Sequence, residues 1–256
     1  MTIGIGITTR NRPRILDLTL EHFERWFPDG ARLVVIDDAS STPNANANLD
    51  ICHKFMRYRS NPWLSYHYST RQLGIAGAKN ACLWELKGCD HVFLFDDDAM
   101  PARSDWWQPW IQPGLGHLTF SMEISHLKKI ESFGHGWQGF SGCLGCCLYF
   151  SKRALATLGG FDPRFGVYGF EHAQMSLRAH KAKLTPCLYP APVEALTSIY
   201  TLDMHMGWLG QKPPLKPDFE AALFNTSVTR EEADAHVQYG HLMQDPPIHC
   251  KLEAWK

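Results

Sequence analysis

One short stretch constrains the fold of this chain more than any other, because an apolar run leads directly into three aspartates. The residues from Val92 to Phe95 are all apolar, which is typical of a short strand buried inside a parallel sheet. Asp96, Asp97 and Asp98 follow without a break. Adjacent carboxylates repel one another unless a cation or hydrogen-bond donors neutralise them. Because hard carboxylate oxygens suit Mg²⁺ and Mn²⁺, the stretch predicts a divalent-cation site, with a solvated acidic turn as the alternative.

The composition is that of an ordinary soluble domain. The chain has 256 residues, of which 45% are hydrophobic and 20% are charged, so it can bury a large core. A formal net charge of -1 gives no overall attraction to nucleic acid or to an anionic membrane. The first residues lack a basic region followed by a long apolar run, and no apolar stretch approaches the length of a membrane span. We therefore expect a soluble, cytoplasmic protein.

The eight cysteines are scattered along the chain. Without a secretory signal, we expect them to be reduced and mostly buried thiols. Cys143-x-x-Cys146 is half of the pattern of a zinc site, but no second pair follows at ligand spacing. The sequence therefore does not predict a structural zinc ion.

Strands and helices alternate along the first part of the chain. Apolar or β-branched runs predict strands at 3–9, 33–36 and 92–95, and the alternation of Leu64, Tyr66 and Tyr68 predicts a strand at 64–68. Helices are predicted between them, from Pro13 and over about 49–58, and the stretch 74–80 leads into a third helix that reaches Leu86. The Asn- and Ala-rich segment 42–48 is predicted to be a loop. This order predicts an α/β fold, a Rossmann-like doubly wound and mostly parallel central sheet.

Polar groups follow three of these strands at the point where each strand ends. They are the stretch Thr8-Thr9-Arg10, the pair Asp37-Asp38 and the aspartates 96–98. Sheets of this kind bind ligands beyond the carboxyl ends of their strands, so the three sets are expected to meet at one edge. Their convergence predicts a nucleotide pocket with a metal ion at one side.

After residue 101 the regular alternation stops. The tryptophans within 106–110 are expected on a short helix that packs into the core. The segments 118–122 and 127–133 predict a hairpin. The glycine-rich segment 134–142 predicts either a lid over the site or a plain linker.

Five stretches together resemble the GT-A-fold glycosyltransferases, especially the large family 2 group. In family order they are Ile5 to Pro13, Val34 to Ser40, Gly74 to Asn80, Phe93 to Pro101, and Gly159 to Asp162 followed by Gly169 to Glu171. Each stretch alone is a weak signal, whereas five in register are a strong one. The resemblance implies a GT-A fold with a second, small antiparallel sheet on the acceptor side.

The resemblance also implies how the chain is divided. Residues 1–101 would form the half that binds a nucleotide sugar, and residues 102–210 the acceptor-binding and catalytic half of the same domain. Residues 211–256 lie outside the match and would form a C-terminal extension, in which residues 229–232 have the pattern of a capping box. That extension is expected to cover the acceptor side or to mediate self-association.

The ligand that the resemblance implies is a nucleotide-sugar donor, most often a UDP-sugar, bound together with Mn²⁺ or Mg²⁺. The implied donor-binding residues are Thr8, Thr9, Arg10, Asp37, Asp38, Lys79, Asn80, Asp96 and Asp97. Asp96 and Asp98 match the family's DxD motif, in which Asp98 would be the direct metal ligand. His205 is the implied further ligand from a later strand, with Asp203 as its competitor. The cation would stabilise the charge on the departing diphosphate.

Glu171 and His172 stand where inverting members of the family carry Glu followed by a catalytic Asp. By analogy, one of the two side chains would deprotonate the acceptor hydroxyl. A histidine is a sensible base near neutral pH, but Glu171 could equally take the proton while His172 orients it. We therefore expect an inverting glycosyltransferase. The alternative is a nucleotide-sugar-binding protein with impaired catalysis.

Other enzymes that use similar motifs fit less well. A dinucleotide dehydrogenase or a P-loop enzyme would show its glycine-rich motif after the first strand. An aspartate-dependent phosphatase would carry Asp-x-Asp on that strand. A sugar nucleotidyltransferase would have a glycine-rich, basic loop there. The segment 8–11 supplies none of these patterns.

The sequence leaves the acceptor open among a saccharide, a protein and a hydroxymethylated pyrimidine in DNA. A basic face formed by residues 128–129, 152–153 and 178–183 would suit DNA as the acceptor. Short charge runs are, however, more often solvated helix faces. No oligomeric state is predicted.

Overall fold

The alternation predicted for the first part of the chain is present in the computed structural model, which describes residues 1–59, 64–122, 127–132, 136–165 and 169–202. In chain order the elements are β1 (Ile3–Thr9), α1 (Pro13–Trp26), β2 (Arg32–Asp37), α2 (Thr42–Arg59), β3 (Leu64–Tyr68), α3 (Gly74–Glu85), β4 (His91–Asp96), β5 (Ala99–Pro101), β6 (His117–Phe120), β7 (Lys129–Ser132), β8 (Trp137–Phe140), β9 (Leu144–Ser151), α4 (Lys152–Leu158), α5 (Glu171–Lys181), β10 (Pro190–Pro192), α6 (Ala195–Ser198) and β11 (Ile199–Thr201). The predicted C-terminal extension, with its capping box, lies outside the described residues.

The central sheet has six strands in the order β3-β2-β1-β4-β9-β6. The first four are parallel to one another, whereas β9 is antiparallel to both of its neighbours. Strands β10, β8 and β7 form a small antiparallel sheet, and β11 pairs with β5. The predicted mostly parallel central sheet and small antiparallel sheet are both confirmed.

Helices pack on both faces of the central sheet. Ile5, Ile7 and Phe95 belong to one core cluster together with Leu16 and Phe23 of α1. The alternate positions of the strands belong to a second cluster with α3, α4 and α5. Because successive strand residues point to opposite faces, strands β2, β4 and β9 contribute to both clusters. Two cores of this kind explain why the strands are apolar throughout.

Strand β1 carries glycine on the face that meets α3. A Cβ atom at Gly6 would lie 2.7 Å from Cβ of Cys82 and 2.9 Å from Cδ2 of Leu94. These distances are too short for any side chain, so Gly6 lets the helix approach the sheet closely. The position of α3 matters because this helix carries Lys79 into the site.

The prediction of a loop over residues 42–48 is wrong, since α2 begins at Thr42. Pro43 suits the first turn of a helix. The asparagines that favoured a loop bond outside the helix instead. Asn44 donates to Oδ1 of Asn11 at 3.1 Å, and Asn48 donates to Oδ2 of Asp37 at 2.7 Å. Tertiary hydrogen bonds therefore override the local preference of these residues.

The predicted hairpin between residues 118–122 and 127–133 is also wrong. Strand β6 pairs with β9, and β7 pairs with β8, so the two predicted arms belong to different sheets. Strand β8 lies inside the glycine-rich segment that was expected to be a lid or a linker. Both arms are strands as predicted, but their partners come from later in the chain.

Two of the tryptophans predicted in the core are buried there. Trp106 and Trp110 are completely inaccessible, and the ring of Phe93 lies edge-on at 4.9 Å from Trp106 and 6.3 Å from Trp110. Among the helices that the structure describes, none combines the length and apolar composition that crossing a bilayer requires. The cysteines of the described ranges form no disulfide.

The buried side chain of His117 makes the stability of the folded core depend on pH, which can be tested. Its ring is fully buried, Nδ1 donates to the carbonyl of Tyr149 at 2.8 Å, and Nε2 lies 2.8 Å from the hydroxyl of Ser176. Burial lowers the pKa of His117 to about 4, although the Tyr149 carbonyl acts in the opposite direction. The unfolded chain takes up this proton near pH 6.5, so the stabilisation is complete above that pH and is lost as the pH falls toward 4.

We therefore expect His117 to account for a fall in the free energy of unfolding on the order of 3 kcal/mol between pH 7 and pH 4. Urea denaturation at several pH values measures the slope of the free energy of unfolding against pH. His117→Gln should flatten it, because an amide keeps hydrogen-bonding groups but does not titrate in this range. His53→Gln, at an exposed position, should leave the slope as in the wild type. An unchanged slope in His117→Gln would contradict this explanation.

Candidate active site

The three predicted sets of polar residues meet at one edge of the central sheet. In the register of the parallel strands, Thr9 lies beside Asp37 and Thr8 lies beside Asp96. Both threonines are buried, and the hydroxyl of Thr8 is a buried group without a hydrogen-bond partner in the described part of the chain. The predicted convergence of these strand ends is therefore present in the structure.

Asp97 and Asp98 share the guanidinium of Arg12. One terminal nitrogen of Arg12 lies 3.0 Å from Oδ1 of Asp97, and the other lies 2.8 Å from Oδ2 of Asp98. Thr9 donates its hydroxyl to Oδ2 of Asp97 at 2.6 Å. Burial raises the pKa of Asp97 to about 7, while Arg12 and Thr9 act to lower it. Asp97 is thus held by protein donors on both of its oxygens.

Asp96 pairs with a different cation, the ammonium of Lys79. This lysine of α3 is fully buried, and its Nζ donates to the carbonyl of Gly145 at 3.0 Å and to Oε1 of Glu171 at 3.2 Å. Oδ1 of Asp96 lies 3.4 Å from the same Nζ. Burial alone lowers the pKa of Lys79, but Asp96 and Glu171 together raise it above its usual value. Lys79 therefore joins the aspartate turn to the start of α5.

Glu171 and His172 form a hydrogen-bonded pair at the start of α5. Oε1 of Glu171 lies 3.2 Å from Nδ1 of His172, and Oε2 accepts the N–H of Gly169 at 3.3 Å. Burial acts to raise the pKa of Glu171, but Lys79 and His172 hold it far below its usual value. Glu171 is buried, whereas 21% of the His172 side chain is exposed. Glu171 is therefore a permanent carboxylate, and His172 is the accessible member of the pair.

The ring of His172 rests on a glycine of β9. A Cβ atom at Gly145 would lie 2.9 Å from Nδ1 of His172, so a side chain there would displace the imidazole ring. The carbonyl of the same glycine accepts the bond from Lys79. Gly145 therefore lets the ion pair and the histidine approach each other across the start of β9.

Three of the predicted donor-binding residues use their side chains inside the protein. Both oxygens of Asp37 accept hydrogen bonds, from the N–H of Ser40 at 2.8 Å and from Tyr66 at 2.8 Å. Asp38 accepts the N–H groups of Leu73 and Gly74, at 2.5 Å and 3.1 Å, and so caps α3.

The third is Asn80. Its amide donates to the carbonyl of Phe161 at 2.8 Å and accepts the N–H of the same residue at 2.7 Å. This two-point contact ties α3 to the segment that precedes α5. The three side chains therefore shape the edge of the sheet through the backbone that they hold.

Arg10 is exposed, whereas Arg12, two residues later, reaches the aspartates. The sequence analysis did not select Arg12. The available signal was its place directly before Pro13, which puts Arg12 at the N-cap of α1 and beside the strand ends. His205, the predicted third metal ligand, and its competitor Asp203 lie outside the described residues.

The aspartates offer a cation hard oxygen ligands. Oδ1 of Asp96 is buried and, within the described part of the chain, makes the 3.4 Å ion pair with Lys79 but no regular hydrogen bond, so it could still bind a metal ion. Asp98 provides a second carboxylate two residues away. Within the described ranges no cluster of three or more His, Cys, Asp or Glu side chains is arranged as a complete metal site. Asp96 and Asp98 therefore fit a divalent cation that takes further ligands from its substrate.

The basic face suggested by the sequence is smaller than predicted. Arg178 is only 7% exposed, and its guanidinium donates to the carbonyls of Leu158 and Gly160, at 2.6 Å each. It holds the end of α4 against α5. The prediction that Arg178 contributes to a nucleic-acid-binding surface is wrong.

Comparisons with known proteins agree with this architecture. No protein-family profile matches the chain. An uncharacterized glycosyltransferase of Acanthamoeba polyphaga mimivirus is 23% identical over 212 residues, which cover 74% of this chain and 77% of that protein.

Several solved glycosyltransferase structures share the fold. The mannosyltransferase PcManGT of Pyrobaculum calidifontis, in complex with GDP-Man and Mn²⁺, has a TM-score of 0.54 at 18% identity, over 69% of this chain and 51% of that one. TarS of S. aureus has a TM-score of 0.53 at 15% identity, over 70% of this chain and 55% of that one. GalNAc-T7 with UDP, GalNAc and Mn²⁺ has a TM-score of 0.57 at 14% identity, over 70% of this chain and 40% of that one.

At these identities the likeness establishes the fold. The predicted GT-A fold is confirmed by its likeness to these glycosyltransferase structures. The chain spans about half of the length of these solved chains, at 51% and 55% of the first two. What this chain binds and transfers is therefore argued from its own residues.

Lys79 is expected to be the most costly residue of the site to remove. Lys79→Met leaves the carboxylates of Asp96 and Glu171 without their shared cation, which should lower the free energy of unfolding by about 3–5 kcal/mol. Chemical denaturation measures the loss. Lys87→Met removes a surface ammonium that contacts only the exposed ring of Trp84, at 4.3 Å, and should cost less than about 1 kcal/mol.

A double-mutant cycle separates the ion pair from the packing of the lysine stem. Adding Glu171→Gln to Lys79→Met should recover part of the lost stability, because one uncompensated charge is removed. If the two changes were simply additive, the stabilising role of the ion pair would be refuted.

Proposed function

We propose that this protein is a metal-dependent glycosyltransferase that moves a sugar from a nucleotide-sugar donor, of the UDP-sugar class, to a hydroxyl acceptor with inversion. The observation that carries this proposal is the position of the Asp96–Asp98 turn, beside Thr8 and joined through Lys79 to Glu171. The proposed cation site, nucleotide-binding edge and general base would thereby lie close to one another at the carboxyl ends of the parallel strands. The glycosyltransferase relatives support the same activity.

The donor's nucleotide is proposed to lie against the ends of β1 and β2. The unpaired hydroxyl of Thr8 is a buried group for which the nucleotide would supply the missing partner. Arg10 is exposed at the same edge and would face the phosphates. Asp37 and Asp38 would act by holding the backbone that surrounds the base. Asn80 would likewise act through the backbone of Phe161.

Asp98 and Asp96 would hold Mn²⁺ or Mg²⁺, with His205 as the proposed further ligand. When bound, the cation would stabilise the negative charge that develops on the diphosphate as it leaves. Asp97 is not proposed as a metal ligand, because Thr9 donates to its Oδ2 at 2.6 Å. Its proposed role is to hold the turn in which the two ligands lie.

His172 is proposed as the general base, and Glu171 as the residue that orients it. Nδ1 of His172 donates to Glu171, which leaves Nε2 free to accept a proton. Glu171 itself is a weak base, because Lys79 and His172 hold its pKa far below the usual range. As the acceptor oxygen forms its bond to the sugar carbon, its proton passes to Nε2. The bond from that carbon to the diphosphate breaks on the opposite face, which inverts the configuration.

We favour a saccharide or a protein hydroxyl as the acceptor over a DNA base. The guanidinium of Arg178 was part of the predicted DNA-binding surface, but it donates hydrogen bonds to backbone carbonyls inside the protein. The formal net charge of -1 adds no general attraction to a polyanion.

Donor binding tests the first half of this proposal. UDP together with Mn²⁺ should raise the melting temperature, since a ligand at about one hundred times its Kd stabilises the folded state by about 2.7 kcal/mol. Asp98→Asn should lose the effect of Mn²⁺, whereas Asp50→Asn, an exposed acid in α2, should keep it. A panel of nucleotide sugars then identifies the base and the sugar. Equal stabilisation by UDP in EDTA would exclude a metal-dependent donor site.

Turnover tests the second half. His172→Ala should lower kcat by about 10²- to 10⁴-fold, the usual contribution of a general base. Glu171→Gln keeps an oxygen that accepts the hydrogen bond from Nδ1 of His172, so kcat should fall less in this variant than in His172→Ala. Donor binding should persist in both variants. Full activity in both would remove this pair from the mechanism, and a wild type that binds the donor but transfers no sugar would favour the non-enzymatic alternative.

A further inference from the structure

Arg12 bridges the two carboxylates that follow the strand of the metal site. Its terminal nitrogens lie 3.0 Å from Oδ1 of Asp97 and 2.8 Å from Oδ2 of Asp98. Only 4% and 8% of these two aspartate side chains are exposed, compared with 44% of the arginine side chain. A guanidinium in this position makes a charge-assisted hydrogen bond to each carboxylate. A half-exposed cation thus neutralises two nearly buried anions.

The backbone of Arg12 is held, although its side chain is open to solvent. Its carbonyl accepts the N–H groups of Ile15 and Leu16, both at 3.0 Å, which are the first hydrogen bonds of α1. Pro13 follows and suits the first turn of the helix. The guanidinium can therefore leave Asp98 by rotation of the side chain, without a change in the helix or in the strand end.

The same carboxylate is the proposed direct ligand of the divalent cation, so the inference that follows rests on the proposed function. Arg12 carries one positive charge and the metal ion two. Both would lie within a few ångströms of Asp98, and like charges at that separation repel each other strongly beside buried groups. Asp97 keeps the bond from Thr9 when the arginine moves, so it stays partly compensated.

We propose that Arg12 is a built-in competitor of the metal ion, which occupies Asp98 in the metal-free protein and releases it when the cation binds. The released guanidinium then binds the donor's diphosphate, an anion that suits the planar arginine fork. Two opposite effects follow. Arg12 weakens the binding of the metal ion alone, and it strengthens the binding of a nucleoside diphosphate once the metal ion is present.

Electron paramagnetic resonance of free Mn²⁺ during a titration of the 256-residue chain measures the first effect. Arg12→Gln should bind Mn²⁺ roughly tenfold more tightly than the wild type, as expected when one competing charge-assisted contact is lost. Arg14→Gln removes the same charge from an exposed position in the first turn of α1 and should bind Mn²⁺ like the wild type. Asp98→Asn should bind it weakly or not at all.

Calorimetric titration of UDP at saturating Mn²⁺ measures the second effect. Arg12→Gln should bind UDP roughly tenfold more weakly than the wild type, although it binds Mn²⁺ more tightly. A residue that only maintained the structure of the turn would weaken both ligands together. The opposite signs of the two changes are therefore the distinguishing result.

Each other outcome identifies what fails. Mn²⁺ affinity in Arg12→Gln that equals or falls below that of the wild type, in a variant with a wild-type melting curve, overturns the inference and leaves the proposed function intact. Mn²⁺ binding in none of the proteins, or undiminished binding in Asp98→Asn, overturns both. If Arg12→Gln does not fold, Arg12→Lys replaces it, because an ammonium cannot bridge both carboxylates. Its Mn²⁺ affinity should exceed that of the wild type by a smaller factor, and an equal affinity overturns the inference.

Discussion

The buried ammonium of Lys79 is the interaction on which the rest of the site depends. It is fully inaccessible, and it contacts a carboxylate from the end of β4 and another from the start of α5. Isolated charges are not tolerated at such depth, so each of these three groups requires the others. Because 92 residues separate Lys79 from Glu171 along the chain, this contact also joins two distant parts of the sequence.

The sequence was most informative where a pattern is local. Apolar runs predicted β2 and β4, because burial on both faces leaves no polar position in such strands. A β-branched run predicted β1, and the alternation of Leu64, Tyr66 and Tyr68 predicted β3. Parallel pairing alone places the carboxyl ends of those strands at one edge of the sheet. For this reason the proximity of Thr8 to Asp96 was predictable. In contrast, α2 was predicted to begin too late, because the bonds that Asn44 and Asn48 make to distant residues are invisible in a local window.

The roles of the site residues were less predictable for the same reason. Family motifs selected Asp37, Asp38 and Asn80 as ligand-binding residues, yet their side chains serve the protein's own backbone. The motifs passed over Arg12, whose partners lie 85 and 86 positions away along the chain. A residue type at a given position shows which chemistry is available, whereas only the three-dimensional contacts show which partner uses it.

The double hydrogen bond between Asn80 and Phe161 has a mechanical consequence. A helix and a loop joined by both a donor and an acceptor cannot slide past each other without losing both bonds at once. Helix α3 and the segment before α5 therefore behave as one rigid block, and Lys79 travels with it. Any movement of this block relative to the rest of the domain has to come from the elements that border it, not from a hinge within it.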